Sequence, residues 1–207
     1  MKITLDDIGK RFHREWIFKN LSFLFETNNR TGIIGPNGSG KSTLIQILSA
    51  AEPASQGKVT YFDDQENILA AEVIYNNLSF AAPYIDLPSN LTAEELVNFY
   101  SKHKPLSDGL TSNDLLNSLN LSLAKHKRIK NFSSGMKQRL KLGLAITSKS
   151  PILLLDEPCS NLDNEGIEIY HLLMDQYALK RLVVIGSNEN PQELYQVDTT
   201  LSIHHFK

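Results

Sequence analysis

The sequence predicts an α/β layered fold, and three observations carry that prediction. Short apolar runs recur at Thr31 to Ile34, Val59 to Phe62, Ile152 to Leu155 and Leu182 to Ile185. Each has the length of a buried strand and is bounded by turn residues. Longer segments with helical periodicity lie between them, as layered α/β domains require. The stretch from about Leu91 to Lys130 has helical signals but no convincing strand. It reads as a small helical lobe inserted into one domain spanning residues 1–207.

The helices can be justified in order. Ser42 to Ala50 presents Leu44, Ile45 and Leu48 on one side, and Pro53 follows its end. Thr92 to His103 opens on Thr92 with Glu95 three residues later, the pattern of a capping box. Ser134 to Ser148 carries Leu140, Leu144 and Ala145, with Pro151 just beyond. Gly166 to Ala178 is a further helical segment.

Composition narrows the function classes. The chain has 207 residues, 41% hydrophobic and 21% charged, which suffices for a real core. Lys+Arg 21 against Asp+Glu 23 leaves a net charge of −2, so bulk charge does not suit the chain to coat nucleic acid. The single cysteine, Cys159, excludes an internal disulfide and a cysteine-based zinc site, and it reads as a small packing residue rather than a redox sensor. No apolar run approaches the ~20 residues of a spanning helix. Asp6 and Asp7 stand where a signal peptide would be apolar, so an intracellular protein is expected.

Gly35-Pro36-Asn37-Gly38-Ser39-Gly40-Lys41-Ser42 fits the pattern G-x-x-x-x-G-K-[ST] in full, and Thr43 follows. The strand from Thr31 to Ile34 delivers the chain to a loop whose glycines let backbone N–H groups turn towards phosphate oxygens. The helix from about Lys41 points its positive end at the same phosphates. Lys41 is expected to neutralise the β and γ phosphates, and the Ser42 hydroxyl to ligate Mg²⁺.

Ile152-Leu153-Leu154-Leu155-Asp156-Glu157 is an apolar strand ending in two carboxylates. It would fix Asp156 at the C-terminal edge of the sheet, where open α/β sheets bind ligands. Asp156 is expected to hold Mg²⁺, mostly through water, as in P-loop enzymes. Glu157 would accept a proton from the attacking water, or orient it.

Between these motifs lies Phe132-Ser133-Ser134-Gly135-Met136-Lys137-Gln138-Arg139, and Pro158-Cys159-Ser160-Asn161-Leu162-Asp163 follows Glu157. The first resembles the signature of the ATP-binding cassette (ABC) ATPases, L-S-G-G-Q with a following arginine. The second resembles that family's S-x-L-D loop. The order of motifs also matches, from the first strand to about Asn188. The resemblance implies a P-loop fold with a mixed sheet core, ATP with Mg²⁺, and a head-to-tail homodimer sandwiching two ATP molecules. In it, Ser133, Ser134, Gly135 and Met136 would act in trans on nucleotide bound by the partner copy. Phe12 sits where the family places an adenine-stacking aromatic, with Trp16 the neighbouring alternative.

The chain also departs from the family pattern. Ser134 replaces a glycine, and Met136 replaces a glutamine that can hydrogen-bond. The family's glutamine after its third strand falls on Pro83 or Tyr84. Its histidine after the last core strand falls on Asn188, which donates an N–H but carries no charge. His204 and His205 do not fit that spacing and read as solvated residues near the chain end. These departures predict measurable but low basal ATPase activity.

The resemblance implies an ATPase subunit of a membrane transporter, cytoplasmic and peripheral at the inner face of the cell membrane. Its partner would be an integral membrane transporter subunit, with no nucleic acid expected. The competing readings are a soluble ABC-type switch and a nucleotide-gated module with very slow hydrolysis.

Overall fold

A computed structural model describes residues 1–107 and 109–206. The described strands are β1 Lys2–Phe12, β2 Glu15–Glu26, β3 Arg30–Ile34, β4 Gln56–Phe62, β5 Ile68–Leu69, β6 Leu78–Ala81, β7 Ile152–Asp156, β8 Leu182–Ser187 and β9 Thr199–Ser202. The α-helices are α1 Lys41–Leu48, α2 Ala93–His103, α3 Ser112–Ser118, α4 Ser134–Ile146 and α5 Asn164–Tyr177. The chain forms two compact units. One comprises Met1–Phe80, Pro151–Glu157 and Lys180–Lys207, and the other Ala81–Ser150 and Pro158–Leu179. The 91–130 stretch falls wholly within the second.

The first unit holds both sheets. One has the order β2-β1-β4-β5, with antiparallel pairing throughout. The other has the order β6-β7-β8-β3-β9, in which β7, β8, β3 and β9 run parallel. β7 is buried along its length and apolar from Ile152 to Leu155, as a parallel strand covered on both faces requires. Phe18, Phe25, Ile33, Ile45, Leu154 and Val184 are all fully buried in one core cluster. Arg181 is buried there too, and donates to Ser79 Oγ at 2.6 Å and Ile152 O at 3.3 Å. At the far end of α1, buried Tyr61 donates to Ile47 O at 3.1 Å, and burial pushes its phenol pKa up to about 12.

The second unit is helical, and its caps explain its boundaries. Thr92 accepts from Glu95 N while the Glu95 carboxylate accepts from Thr92 N, so α2 opens on a full capping box. Thr111 and Asp114 do the same for α3. Asp163, the last residue of the S-x-L-D-like segment, caps α5 by accepting from Gly166 N at 2.9 Å. Each such cap contributes about 1 kcal/mol. A Cβ on Gly143 of α4 would lie 2.6 Å from Leu119 Cδ1, so glycine sets how closely the end of α3 approaches α4.

Candidate phosphate-binding site

β3 runs straight into the glycine-rich loop. Gly38 and Gly40 have φ of 75° and 106°, a region where side chains are strained. A Cβ on Gly40 would lie 2.5 Å from Ile17 Cγ2, so this position also lacks room for one. Gly40 is the N-cap of α1 and supplies no side-chain cap. The first N–H groups of the helix are therefore left for an anion rather than for a serine or aspartate oxygen. Lys41 is 4% exposed, and its Nζ donates to Gly35 O at 2.8 Å and Pro36 O at 3.1 Å. The ammonium is thus held over the loop by the loop's own carbonyls.

A cavity of about 200 Å³ opens at this loop, lined by Ile17, Asn37, Gly38, Gly40, Lys41, Ser42, Thr43 and Glu157. Glu157 reaches it because β7 is separated from β3 by one strand, β8. The Glu157 N–H donates to Gly186 O at 2.9 Å, which extends the β7–β8 pairing by one residue. Its φ of 43° is left-handed, an unusual backbone for a residue with a side chain and one found at functional sites. Asp156 is 1% exposed. A Cβ on Gly186 would lie 2.6 Å from both Asp156 Oδ1 and Ile45 Cδ1, so that glycine makes the space in which the carboxylate sits.

These groups fit a magnesium ion bound with nucleotide. Among the described residues no three His, Cys, Asp or Glu side chains cluster as a metal cage. Ser42 lines the cavity, and buried Asp156 ends β7 one residue before the cavity-lining Glu157. Mg²⁺ commonly takes one or two protein ligands and completes its shell with substrate phosphates and water.

The remaining residues singled out by sequence fall as follows. Asn188 is exposed, one residue beyond β8 and at the same sheet edge as the loop. Phe12 ends β1 at the tip of the β1–β2 hairpin, 45% exposed, with Lys10 Nζ 4.9 Å from its ring centroid. Trp16 is engaged by the hairpin itself. Its ring packs on Gly9, and Arg11 and Lys19 lie 5.5 and 4.9 Å from its centroid. The hairpin residue that lines the cavity is Ile17, which sequence reading missed. Its contribution depends on strand register, which no local signal fixes.

In the second unit, Ser133 is the N-cap of α4, and its Oγ accepts from Met136 N at 3.2 Å. The hydroxyl proton of a capping serine stays available to donate. Ser134 is exposed, whereas Gly135 and Met136 are partly buried. A Cβ on Gly135 would lie 3.1 Å from Asn161 O, so the glycine lets the loop after Glu157 come close. Buried Gln138 fixes that loop by donating to Pro158 O at 2.9 Å. Pro83 is partly buried and Tyr84 exposed. Lys141, also unnoticed in the sequence, donates to Ala82 O at 3.0 Å and Pro83 O at 2.9 Å. Burial pulls its pKa down, while Asp86 pushes it up and Lys137 pulls it down further. The two lysines, Asp86, Ser134 and Asn161 share the lining of a cavity of about 380 Å³ in this unit.

Comparison with known proteins matches this arrangement. A family model described as ABC transporter covers residues 18–160. The uncharacterized ABC transporter ATP-binding protein YcbN of Bacillus subtilis strain 168 is 27% identical, over 97% of this chain and 66% of its own length. The chain therefore spans just under two thirds of that relative. YybJ of the same strain, also an uncharacterized ABC transporter ATP-binding protein, is 27% identical over 98% of this chain and 93% of its own. Among solved structures, a putative ABC transporter ATP-binding protein from Pyrococcus furiosus superposes over 100% of both chains, with a TM-score of 0.82 at 20% identity. That last likeness is one of fold.

Proposed function

Because the chain belongs to the ABC transporter family, we propose that it is an ATP-hydrolysing cassette that closes head to tail on a second copy of itself and drives a membrane-embedded transporter partner. One observation carries the reading: Lys41 and Ser42, from the start of α1, and Glu157, just past the end of β7, line a single cavity.

The residues divide the work. The loop from Gly35 through Pro36, Asn37, Gly38 and Ser39 to Gly40 cradles the phosphates of ATP through its backbone N–H groups, Pro36 having none, together with those at the start of α1, where Thr43 stands. Lys41 supplies a fixed positive charge to the β and γ phosphates. Ser42 and Asp156 hold Mg²⁺, which when bound neutralises charge on the transferring phosphoryl group. Glu157 orients the attacking water or takes its proton. Asn188 donates an N–H to the γ-phosphate. Phe12 stacks on adenine, for about 1–3 kcal/mol if base–aromatic values transfer.

Ser133, Ser134, Gly135 and Met136 of the second copy reach the γ-phosphate across the dimer. ATP then holds the two copies together, and its hydrolysis releases them, which gives the partner two states to follow. The cassette works at the cytoplasmic face of the membrane, through the partner; among the described residues no helix is long and apolar enough to cross a bilayer. Asn188 brings no charge to the γ-phosphate and Met136 brings no amide, so basal turnover is slow.

The Glu157→Gln variant tests this reading. It is expected to bind ATP with parental affinity, to lose turnover, and to sediment as a dimer with ATP and Mg²⁺ but as a monomer without nucleotide. Parental turnover in that variant, or binding with no change of mass, rejects the proposal.

A further inference from the structure

The turn that follows β8 contains a buried acid whose position the mechanism above does not use. Ser187 closes β8 and is fully buried. Its Oγ donates to Glu193 Oε2 at 2.6 Å and accepts from Asn190 N at 3.1 Å. Glu193 is itself only 5% exposed. Around them the backbone folds tightly. Asn190 O accepts from Glu193 N at 3.0 Å and from Leu194 N at 3.2 Å, and Asn190 Oδ1 accepts from Gln192 N at 3.0 Å. Leu194 seats the turn on β3, where a Cβ on Gly32 would lie 2.9 Å from Leu194 Cδ2. The turn is therefore tied at both ends, and Asn188 and Glu189 stand exposed at its tip.

A hydroxyl has one proton and two lone pairs. A carboxylate acceptor takes the proton, so the lone pairs of Ser187 Oγ are left to face Asn190 N. An apolar residue at 193 could fill the same space without the cost of burying a carboxyl group, but it would leave the hydroxyl free to rotate. The acid thus sets a direction as well as a packing contact. The preceding residue, Gly186, accepts from Glu157 N at 2.9 Å, so the same strand end is already registered against the proposed general base.

We propose that Ser187 and Glu193 form a clasp that positions Asn188 for the γ-phosphate. Both are positioning residues: they act through Asn188 and touch no substrate. The inference rests on the reading of Asn188 as a phosphate donor.

The test is a double-mutant cycle on the ATPase of the purified chain, with kcat and KM for ATP measured separately. Asn188→Ala is expected to lower kcat about tenfold, the scale of one hydrogen bond to a charged group. Ser187→Ala should lower kcat about fivefold through misplacement, with KM within about twofold of the parent. Glu193→Gln, whose neutral oxygen is a weaker acceptor, should fall between parent and Ser187→Ala. Ser187→Thr, which keeps the hydroxyl, should recover most of the loss. In the Asn188→Ala background, Ser187→Ala should cause no further fall, because the residue it positions is gone. Multiplying losses in the double variant would mark a general structural effect and overturn the clasp. A loss from Asn188→Ala with none from Ser187→Ala or Glu193→Gln would also overturn the clasp while sparing Asn188. No loss from Asn188→Ala would overturn both.

Discussion

Adding one methyl group at Gly186 should damage the metal site more than the fold. In Gly186→Ala the new Cβ would stand 2.6 Å from Asp156 Oδ1 and 2.6 Å from Ile45 Cδ1. An ordinary contact begins near 3.4 Å, so each neighbour must retreat by about 0.8 Å (3.4 − 2.6). Overpacking of this kind costs about 1–3 kcal/mol, or roughly 2–12 °C in Tm at about 2–4 °C per kcal/mol for a chain of this size. The carboxylate has less freedom to move than that stability loss suggests, because a ligand displaced by nearly 1 Å can cost about a hundredfold in rate.

The assay is ATPase rate against Mg²⁺ concentration, with Tm measured alongside. The expected result is a tenfold or greater rise in the Mg²⁺ needed for half-maximal rate, an order-of-magnitude figure within the hundredfold bound above. Adding Ile45→Val removes the Cδ1 atom and so relieves the apolar half of the clash. That double variant should regain Tm, less the roughly 0.5–1.5 kcal/mol of the lost methyl, and should keep the Mg²⁺ defect. If Ile45→Val restores both together, the carboxylate was never displaced on its own and the reasoning is wrong. An unchanged Mg²⁺ dependence in Gly186→Ala refutes it directly.

Two further outcomes follow from the helical unit. Backbone and side-chain hydrogen bonds with Thr92 hold Glu95 below its ordinary 4.5, and those with Thr111 hold Asp114 below its ordinary 3.8. Both pKa values are lower in the folded state, so their stabilisation is present above the unfolded values and disappears as pH falls through the folded ones. The Glu95→Gln/Asp114→Asn variant should therefore melt below the parent at pH 7, and the gap should narrow as pH falls below 4.5 and then below 3.8; a gap that widens on acidification refutes the sign. Lys141→Met removes the ammonium that donates to Ala82 O and Pro83 O while keeping most of the apolar stem. Hydrogen exchange at the Tyr84 and Ile85 amides should speed up, with a global loss of only about 1–2 kcal/mol. Unaltered exchange there would show that the lysine does not restrain this segment.

The elements that position the phosphate loop were legible because each is announced by its own residues. β3, β7 and β8 contain the short apolar runs Thr31 to Ile34, Ile152 to Leu155 and Leu182 to Ile185, and the start of α1 is dictated by the Gly40-Lys41-Ser42 sequence. The Thr92 and Glu95 box was equally plain, while the matching Thr111 and Asp114 pair was missed because it opens a helix of seven residues with few apolar positions. The β1–β2 hairpin escaped notice for a different reason. Its pairing slips between Leu5 and Ile8 and again near Lys10, and Asp7 and Asn20 have positive φ, so inward and outward positions do not alternate cleanly. β6 and β9, four residues each, are too short to show a period at all. Contacts such as those of Gln138 and Lys141 with distant carbonyls depend on tertiary approach, and nothing local encodes them.

The left-handed backbone at Glu157 sets the demands of folding against those of chemistry. A residue with a side chain pays about 1 kcal/mol or more to sit in that region, and glycine would sit there at ease. Screening a library of this chain for heat tolerance alone would thus favour variants that have discarded the acid. The best-behaved protein from such a screen would be a sturdy nucleotide holder with no means of letting go.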